Sequence, residues 1–162
     1  MFAKAFLAVF IIYQCQAKSI SMFTFNPNCD GIDGLSGTIT VSPEPIKLNA
    51  NFTIDIDLET KVTLASPLKL VTTLSKYVNG AWEPQACTGG IIGDCTVDDI
   101  CTLISKIPIL SPCPIAPLKI GPIWAQFPLN IAALQTGQFK GNVKIYSNDV
   151  EKICGSIAFT VV

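Results

Sequence analysis

The residues of this chain best suited to chemistry are its cysteines, three of which lie in the stretch PQACTGGIIGDCTVDDIC (84–101). Thiols at this density could bind a metal ion, exchange disulfides or crosslink a loop. The chain contains no histidine, and no two cysteines have the C-x-x-C spacing typical of structural zinc sites and thioredoxin-type redox centres. The pattern predicts structural disulfides, with no metal and no cofactor.

Carboxylates are the remaining candidates for acid–base catalysis. Asp55, Asp57 and Glu59 alternate with apolar residues, which places them on the solvated face of a strand. Asp98 and Asp99 open a predicted short helix, where acidic residues suit the helix dipole. Without histidine, Ser-His-Asp, Cys-His and histidine–metal centres are excluded. We therefore predict no catalytic residue and no enzyme activity.

The first 17 residues have the layout of a secretory signal peptide. Lys4 precedes an apolar run over 5–13, and small residues end at Ala17. This run is shorter than the roughly 20 apolar residues of a membrane-spanning helix. Removal of residues 1–17 would also remove Cys15 and leave an even number of cysteines, as disulfides require. We predict a secreted protein, or a lysosomal one that uses the secretory pathway, with one domain over 18–162.

The composition argues against a nucleic-acid partner and for a large apolar surface. The net charge is −1 and the chain has no arginine, whereas nucleic-acid binding favours a basic stripe rich in arginine. Hydrophobic residues make up 49% of the chain. A secreted protein of this composition must bury the surplus apolar surface.

Five segments have the β-branched, partly alternating pattern of strands bounded by turn residues. They are 38–41, 52–59, 68–75, 139–147 and 155–162. Their spacing predicts an antiparallel β-sandwich. The one predicted helix runs over 96–104, with Thr96 as its N-cap.

Residues 104–134 do not fit an ordinary sandwich. This segment contains six prolines and two lysines and is otherwise almost entirely apolar. Because proline at this density opposes a regular ladder or helix, the sequence predicts a long irregular segment. Two roles remain open for it: a lid over the core, or the wall of a cavity and an apolar surface facing a lipid or membrane.

The order of short motifs along the chain resembles the ganglioside activator family of the ML lipid-recognition superfamily, lysosomal cofactors that present lipids to hexosaminidase A. The motifs are NCD (28–30), NFT (51–53), ASPLK (65–69), VNGAW (78–82), ACTGGIIGDCTVDDIC (86–101), PCP (112–114) and the late Cys154. The resemblance spans nearly all of the chain after residue 17. It implies an Ig-like β-sandwich whose sheets splay into an open hydrophobic β-cup, with one short helix and long apolar loops.

The resemblance also implies disulfide pairings. Cys29–Cys154 would join the first and last strands, and Cys87–Cys95 would close a tight loop. The family has two further cysteines after PCP where this chain has GPIWAQFP (121–128), which leaves Cys101 and Cys113 to pair with each other. NFT falls on a sequon of the family and predicts a glycan on Asn51.

Two sets of apolar residues are candidates for the lining or the rim of the cup. The inward strand faces and the apolar segment supply most of them, and Trp82 stands where the family has a tryptophan loop at the rim. The candidates are Ile54, Ile56, Leu58, Leu70, Trp82, Ile107, Leu110, Ile120, Ile123, Trp124, Phe127, Leu129, Val143, Ile145, Ile157 and Phe159.

The resemblance implies a protein that extracts or presents a sphingolipid, phospholipid or fatty acyl chain, with transient contact to a membrane surface and a glycolipid hydrolase as a partner. Two alternatives stay open: a carrier of a small hydrophobic signal or microbial lipid, and a structural sandwich without a ligand. An apolar cavity would argue against the last. With no histidine, any acid-triggered release would depend on carboxylates and lie near about pH 4 to 5.

Overall fold

The computed structural model of the chain describes residues 23–48, 50–90, 92–104, 113–128 and 135–162. The predicted signal peptide, residues 1–17, lies outside them. The described strands are β1 (Thr24–Asn26), β2 (Leu35–Ser42), β3 (Asn51–Thr60), β4 (Leu68–Val78), β5 (Ala81–Pro84), β6 (Cys95–Val97), β7 (Lys119–Pro128), β8 (Gly137–Ser147) and β9 (Val150–Val161). A 3₁₀ turn spans Cys29–Gly31, and one helical turn, α1, spans Cys101–Ile104.

The strands form two antiparallel sheets. The larger sheet has the order β1-β9-β8-β4-β5, with β6 also paired to β4, and the smaller has the order β2-β3-β7. Every paired strand in both sheets is antiparallel. The predicted all-β class is confirmed, and each of the five predicted strands lies within or largely overlaps an observed one.

The alternation of apolar and polar side chains along the strands explains which faces of the two sheets pack together. On β3, Phe52 and Ile54 pack against the core, whereas Asp55 and Glu59 are exposed. On β8, Phe139 is buried and Lys140 is exposed. Because successive side chains of a strand point to opposite faces, each sheet has one apolar face, and the two apolar faces pack together.

The predicted helix over 96–104 is wrong in its first half. Thr96 lies in β6 and pairs with Val71 of β4. The helical turn begins at Cys101, and its cap is Asp99, whose carboxylate accepts a hydrogen bond of 3.0 Å from the backbone N–H of Cys101. An aspartate two residues before an N–H is a common cap geometry, and pairing with a long neighbouring strand outweighed the local helix signal at Thr96.

The prediction of an irregular segment over 104–134 is wrong for residues 119–128, which form β7 along β3. Strand β7 tolerates its prolines because it lies at the edge of the smaller sheet, where a missing N–H leaves no ladder partner unpaired. The register of the β3–β7 pairing shifts between Ile56 and Leu58. Opposite this point, Gly121 takes a φ of +110° and is followed by Pro122. A Cβ on Gly121 would lie 2.1 Å from the carbonyl oxygen of Ile56, so this bulge requires glycine.

Three disulfides join Cys29 to Cys154, Cys87 to Cys95 and Cys101 to Cys113. These are the pairs that the family resemblance implies. The first ties the turn after β1 to β9 across 125 residues of sequence, and Cys154 is fully buried. Among the described residues, no helix is long and apolar enough to cross a membrane.

Truncation of Phe139 should cost a large part of the free energy of unfolding. Its ring is 1% exposed and stacks on Phe159 with centroids 5.3 Å apart. Deleting a buried phenyl ring leaves a cavity, so Phe139→Ala is expected to destabilise the protein by about 3–5 kcal/mol. Urea unfolding monitored by circular dichroism measures this loss. Val150→Ala, at a position 53% exposed, is the control and should change stability little; equal losses in both variants would contradict the packing argument.

Candidate functional site

The space between the two sheets has two halves that are packed differently. In one half, which we call the packed end, a buried cluster is built around Phe139 and Phe159, with Val41, Leu74 and Val161. Phe23 and Phe52 add two further aromatic rings beside it. In the other half, the buried residues are smaller, namely Leu35, Leu64, Leu68, Ile153 and the Cys101 sulfur.

The second half contains a cavity of about 360 Å³. Strands from both sheets line it: β2, β3 and β7 from the smaller sheet, and β1, β4, β8 and β9 from the larger. The lining residues are Phe25, Leu35, Ile39, Leu58, Thr60, Leu64, Leu68, Ile100, Ile115, Leu118, Ile120, Val143, Ile145, Ile153, Gly155 and Ile157. This volume lies within the range of about 300–1,000 Å³ that small-molecule sites occupy.

Thr60 supplies the single polar side chain among these lining residues. Its hydroxyl donates to the carbonyl oxygen of Leu118 at 3.3 Å and accepts from the Leu118 N–H at 3.0 Å. Both roles of the hydroxyl are therefore satisfied by the protein itself. The cavity thus presents an apolar surface and offers a ligand no charged group.

Gly155 contributes to the width of the cavity. A Cβ at this position would lie 3.1 Å from the Phe25 ring, closer than an ordinary packing contact. Because Gly155 carries no side chain, the Phe25 ring can lie close to β9 between the lining residues Ile153 and Ile157.

Polar contacts join the connecting segments in the half of the sandwich that contains the cavity, which we call the cavity end. Leu64 and Ile115 exchange backbone hydrogen bonds of 2.9 and 2.8 Å, which join the segment after β3 to the segment before β7. Asp99 accepts hydrogen bonds from the Ser66 hydroxyl at 2.7 Å and from the backbone N–H groups of Leu68 and Cys101. The Cys101–Cys113 disulfide links α1 covalently to the segment before β7.

These hydrogen bonds stabilise the charged form of Asp99. The bond from the Ser66 hydroxyl contributes most, followed by those from Leu68 and Cys101, and together they hold the pKa of Asp99 below its usual range. Asp99 thus acts as an anchor for the start of β4, for α1 and, through Cys101, for the disulfide.

A second polar cluster lies beside the Cys29–Cys154 disulfide. Asp30, Glu151 and the Cys154 sulfur are close enough together to suggest a metal site. Lys144 occupies this position instead: its ammonium group contacts Asp30 and lies 3.6 Å from Glu151. The bond to Asp30 raises the pKa of Lys144, and partial burial raises the pKa of the neighbouring Tyr146. The cluster is an ion-pair network, with its sulfur consumed by the disulfide.

The structure places five of the residues predicted from sequence directly on the cavity. They are Leu58, Ile120, Val143, Ile145 and Ile157. Two others, Ile54 and Phe159, pack at the packed end. The remaining strand candidates, Ile56 and Leu70, are half-buried and are not among the residues that line the cavity.

The predicted rim residues have different environments. Trp82 is half-buried, packs against Tyr77 with centroids 5.1 Å apart, and has the ammonium of Lys140 over its ring at 4.5 Å. Trp124 and Ile123, in contrast, are 74% and 49% exposed on the edge strand β7. Phe127 is placed by its backbone, opposite Phe52 in the ladder. Ile107, Leu110 and Leu129 lie outside the described residues.

Sequence analysis missed several lining residues. Leu64, Ile100, Ile115 and Leu118 lie in connecting segments, where no strand alternation marks an inward position. Ile39 could have been found, because it alternates with Thr38 and Thr40 in the predicted strand 38–41. Asn51, the predicted glycosylation site, is exposed at the start of β3, and its glycan stays a prediction.

Comparisons with known proteins find relatives by sequence. The chain is 38% identical over 104 residues to the ganglioside GM2 activator of Macaca fascicularis, covering 62% of this chain and 54% of the relative. It is 33% identical over 90 residues to the ganglioside GM2 activator of Mus musculus, covering 54% of this chain and 46% of the relative. The chain thus spans about half the length of the curated relatives it matches. The predicted resemblance to ganglioside activators is confirmed.

Solved structures give weaker similarities. A Niemann-Pick type C2 protein from the Japanese carpenter ant matches with a TM-score of 0.39 and 11% identity, covering 88% of this chain and 93% of that one. Chicken MD-1, complexed with lipid IVa, matches with a TM-score of 0.45 and 11% identity, covering 85% and 88%. No protein-family model matches the chain.

The Asp99 anchor predicts a specific pH dependence. Because the folded-state pKa of Asp99 is lowered, its contribution to stability is present above the ordinary aspartate pKa of about 3.9 and is lost as pH falls through the lowered value. We expect Asp99→Ala to lower the melting temperature at pH 5 to 7, and the difference from the parent protein to shrink below about pH 4. The stability supplied by Asp99 should therefore respond to pH at or below about pH 4, the acid limit of the range predicted from sequence for lipid release. Thermal scans at stepped pH measure it.

The control for this experiment is the neighbouring exposed residue, in the variant Asp98→Ala. It removes the same charge next to α1 without removing the three hydrogen bonds. A melting temperature lowered equally by Asp98→Ala and Asp99→Ala, or a difference that persists unchanged at pH 2, would contradict the anchor role.

Proposed function

We propose that this chain is a non-enzymatic lipid-binding protein that holds the apolar part of a lipid between its two sheets. The observation that carries the proposal is the cavity of about 360 Å³ whose single polar lining side chain, Thr60, is already hydrogen-bonded to Leu118. A structural sandwich without a ligand would gain stability by filling this space, because an empty cavity costs packing energy.

The free energy of transfer favours an acyl chain as the occupant. Each methylene removed from water contributes about 0.8 kcal/mol, so a lipid leaves a membrane readily only for an equally apolar site. Apolar cavities bind apolar guests rather than ordered water, because water needs polar partners. A cavity lined by Leu58, Val143 and Ile145 satisfies this condition.

The head group of such a lipid would stay outside the cavity. The lining offers it no charged side chain, and burying an unpaired polar group costs several kcal/mol, on the order of 2–7. The bound lipid would therefore expose its head group at the protein surface. That arrangement suits presentation of a lipid to another protein, and the two relatives named as ganglioside GM2 activators support a glycolipid hydrolase as that partner.

Native mass spectrometry of the protein secreted by eukaryotic cells tests this function. We expect a lipid at a stoichiometry of one, whose class then distinguishes a glycolipid presenter from a carrier of a signal or of a microbial lipid. The same sample would report the secretory route, the removal of residues 1–17 and the glycan on Asn51. A protein that stays ligand-free after incubation with mixed liposomes would contradict lipid binding.

Partly filling the cavity should weaken lipid binding without unfolding the protein. Val143 lines the cavity and is half-buried, so the variant Val143→Phe places a ring in the unfilled space. Displacing even two methylenes at about 0.8 kcal/mol each lowers affinity at least tenfold. Titration of delipidated protein with the fluorescent fatty acid cis-parinaric acid measures the change.

Val150→Phe is the matched control, since it makes the same substitution at the exposed first residue of β9. It should bind cis-parinaric acid like the parent protein. The cavity assignment would be overturned if Val143→Phe kept its fold, judged by circular dichroism, and bound with unchanged affinity.

To take up a lipid from a membrane, the protein must contact the membrane surface. Strand β7 carries exposed apolar residues suited to this contact. Trp124 is 74% exposed and its neighbour Ile123 is 49% exposed. Tryptophan favours the membrane–water interface, where its ring is apolar and its N–H is hydrated. These two side chains, on the edge of the smaller sheet, form the proposed membrane-contact site.

Trp124→Ala is therefore expected to reduce binding to phosphatidylcholine vesicles several-fold while leaving cis-parinaric acid affinity unchanged, because it removes interfacial contact and not cavity lining. Vesicle co-sedimentation measures the first quantity. Val150→Ala removes another exposed apolar side chain away from β7 and serves as the control. Undiminished sedimentation of Trp124→Ala would exclude β7 as the contact site.

A further inference from the structure

The apolar cavity ends inside the sandwich, where it meets the packed end. On β8 and β9, Phe139 pairs with Phe159 in the packed end, and further along the same strands Val143 pairs with Gly155 at the cavity. Ile157 lies between these two pairs on β9, where it lines the cavity and also packs against the aromatic cluster. Because the two phenyl rings occupy the space behind it, Ile157 forms the inner wall of the cavity.

The volume of the cavity limits the size of the group it can hold. A methylene group is about as large as a water molecule, whose share of liquid volume is about 30 Å³, so a cavity of about 360 Å³ holds about twelve carbon atoms. We infer that the cavity selects a single alkyl chain of about twelve carbons and that Ile157 sets this limit. The inference rests on the lipid-binding function proposed above.

The direction of the chain follows from the two ends of the cavity. Leu64 and Ile115 line it from connecting segments, whereas the rings of Phe139 and Phe159 occupy the packed end. Connecting segments open locally at a lower free-energy cost than strands paired in a ladder. The alkyl chain would therefore enter between the connecting segments, with its methyl end against Ile157 and its polar group at the protein surface.

A lipid with two long chains exceeds this volume. Divided between two chains, the cavity leaves about six carbons for each. The remaining carbons would be exposed to water once the lipid left a membrane. Each exposed methylene disfavours uptake about fourfold, which is about 0.8 kcal/mol converted to a ratio. The preferred ligands are therefore amphiphiles with one chain, such as a free fatty acid or a lysolipid.

A series of saturated fatty acids tests the length limit. Fatty acids of eight to eighteen carbons, each below its critical micelle concentration, displace cis-parinaric acid from the delipidated protein. The affinity should rise about fourfold per carbon up to about twelve carbons and then stay level, because further carbons remain outside the cavity. A rise that continues through eighteen carbons would overturn the limit and leave lipid binding intact. No displacement at any length would contradict the proposed function as well.

Two variants should move the limit in opposite directions. Ile157→Ala removes three carbon atoms from the inner wall, so the affinity should level off about three carbons later than in the parent protein. Val143→Phe adds four carbon atoms to the lining, so it should level off about four carbons earlier. Val150→Ala, at the exposed first residue of β9, is the control and should keep the parental limit.

The length at which affinity levels off separates the wall from a general effect on stability. A loss of stability would lower the affinity for every fatty acid without changing that length. If Ile157→Ala and Val143→Phe keep the fold, judged by circular dichroism, and also keep the parental limit, the assignment of the wall is wrong.

One-chain and two-chain lipids with the same head group test the selectivity on the parent protein. The probes are lauroyl lysophosphatidylcholine, with one chain of twelve carbons, and dioctanoyl phosphatidylcholine, with two chains of eight. We expect the lysolipid to displace cis-parinaric acid with at least tenfold higher affinity, although it carries fewer chain carbons. Equal affinity, or tighter binding of the two-chain lipid, would overturn the one-chain selectivity.

Discussion

The stacking of Phe139 on Phe159 is the interaction on which the rest of the sandwich depends. The two rings lie on neighbouring strands of the larger sheet, 5.3 Å apart. Phe23 packs beside Phe159, and Phe52 adds a ring from the smaller sheet. Aromatic side chains bury the most apolar surface, so they concentrate the packing energy at one end. Because the sheets are fixed there, they can remain separated at the other end, which is compatible with the predicted open cup.

The cavity end is stabilised by a different kind of interaction. Asp99 connects three backbone or side-chain donors, and the Cys101–Cys113 bridge lies next to it. Hydrogen bonds and a covalent link hold connecting segments in place without filling the space they surround. The Cys29–Cys154 bridge adds about 4–5 kcal/mol by restricting the unfolded chain, on a chain-entropy estimate for a loop of this length. The protein therefore tolerates an unfilled volume.

The two faces of the larger sheet differ in chemistry because successive side chains of a strand point to opposite faces. On β8, Val143 and Ile145 line the apolar cavity, while Lys140 and Asn142 are exposed on the other face. A single strand thus contributes both to the apolar lining of the cavity and to the polar outer surface of the sheet.

The sequence by itself determined the all-β class of the protein, and its resemblance to a family implied the disulfide pairs. Strands, the absence of histidine and the order of the cysteine motifs all follow from local patterns and spacing. Alternation predicted that Ile54, Leu58 and Phe159 face inward, but it could not distinguish the packed end from the cavity end, because both ends of a strand share one face. Only the tertiary structure decided which side chains surround empty space. It also brought Leu64, Ile100 and Ile115 to the cavity from segments without periodicity, and turned the proline-rich 119–128 into an edge strand by supplying β3 as its partner. These outcomes depend on contacts between residues distant in the chain, which no local pattern encodes.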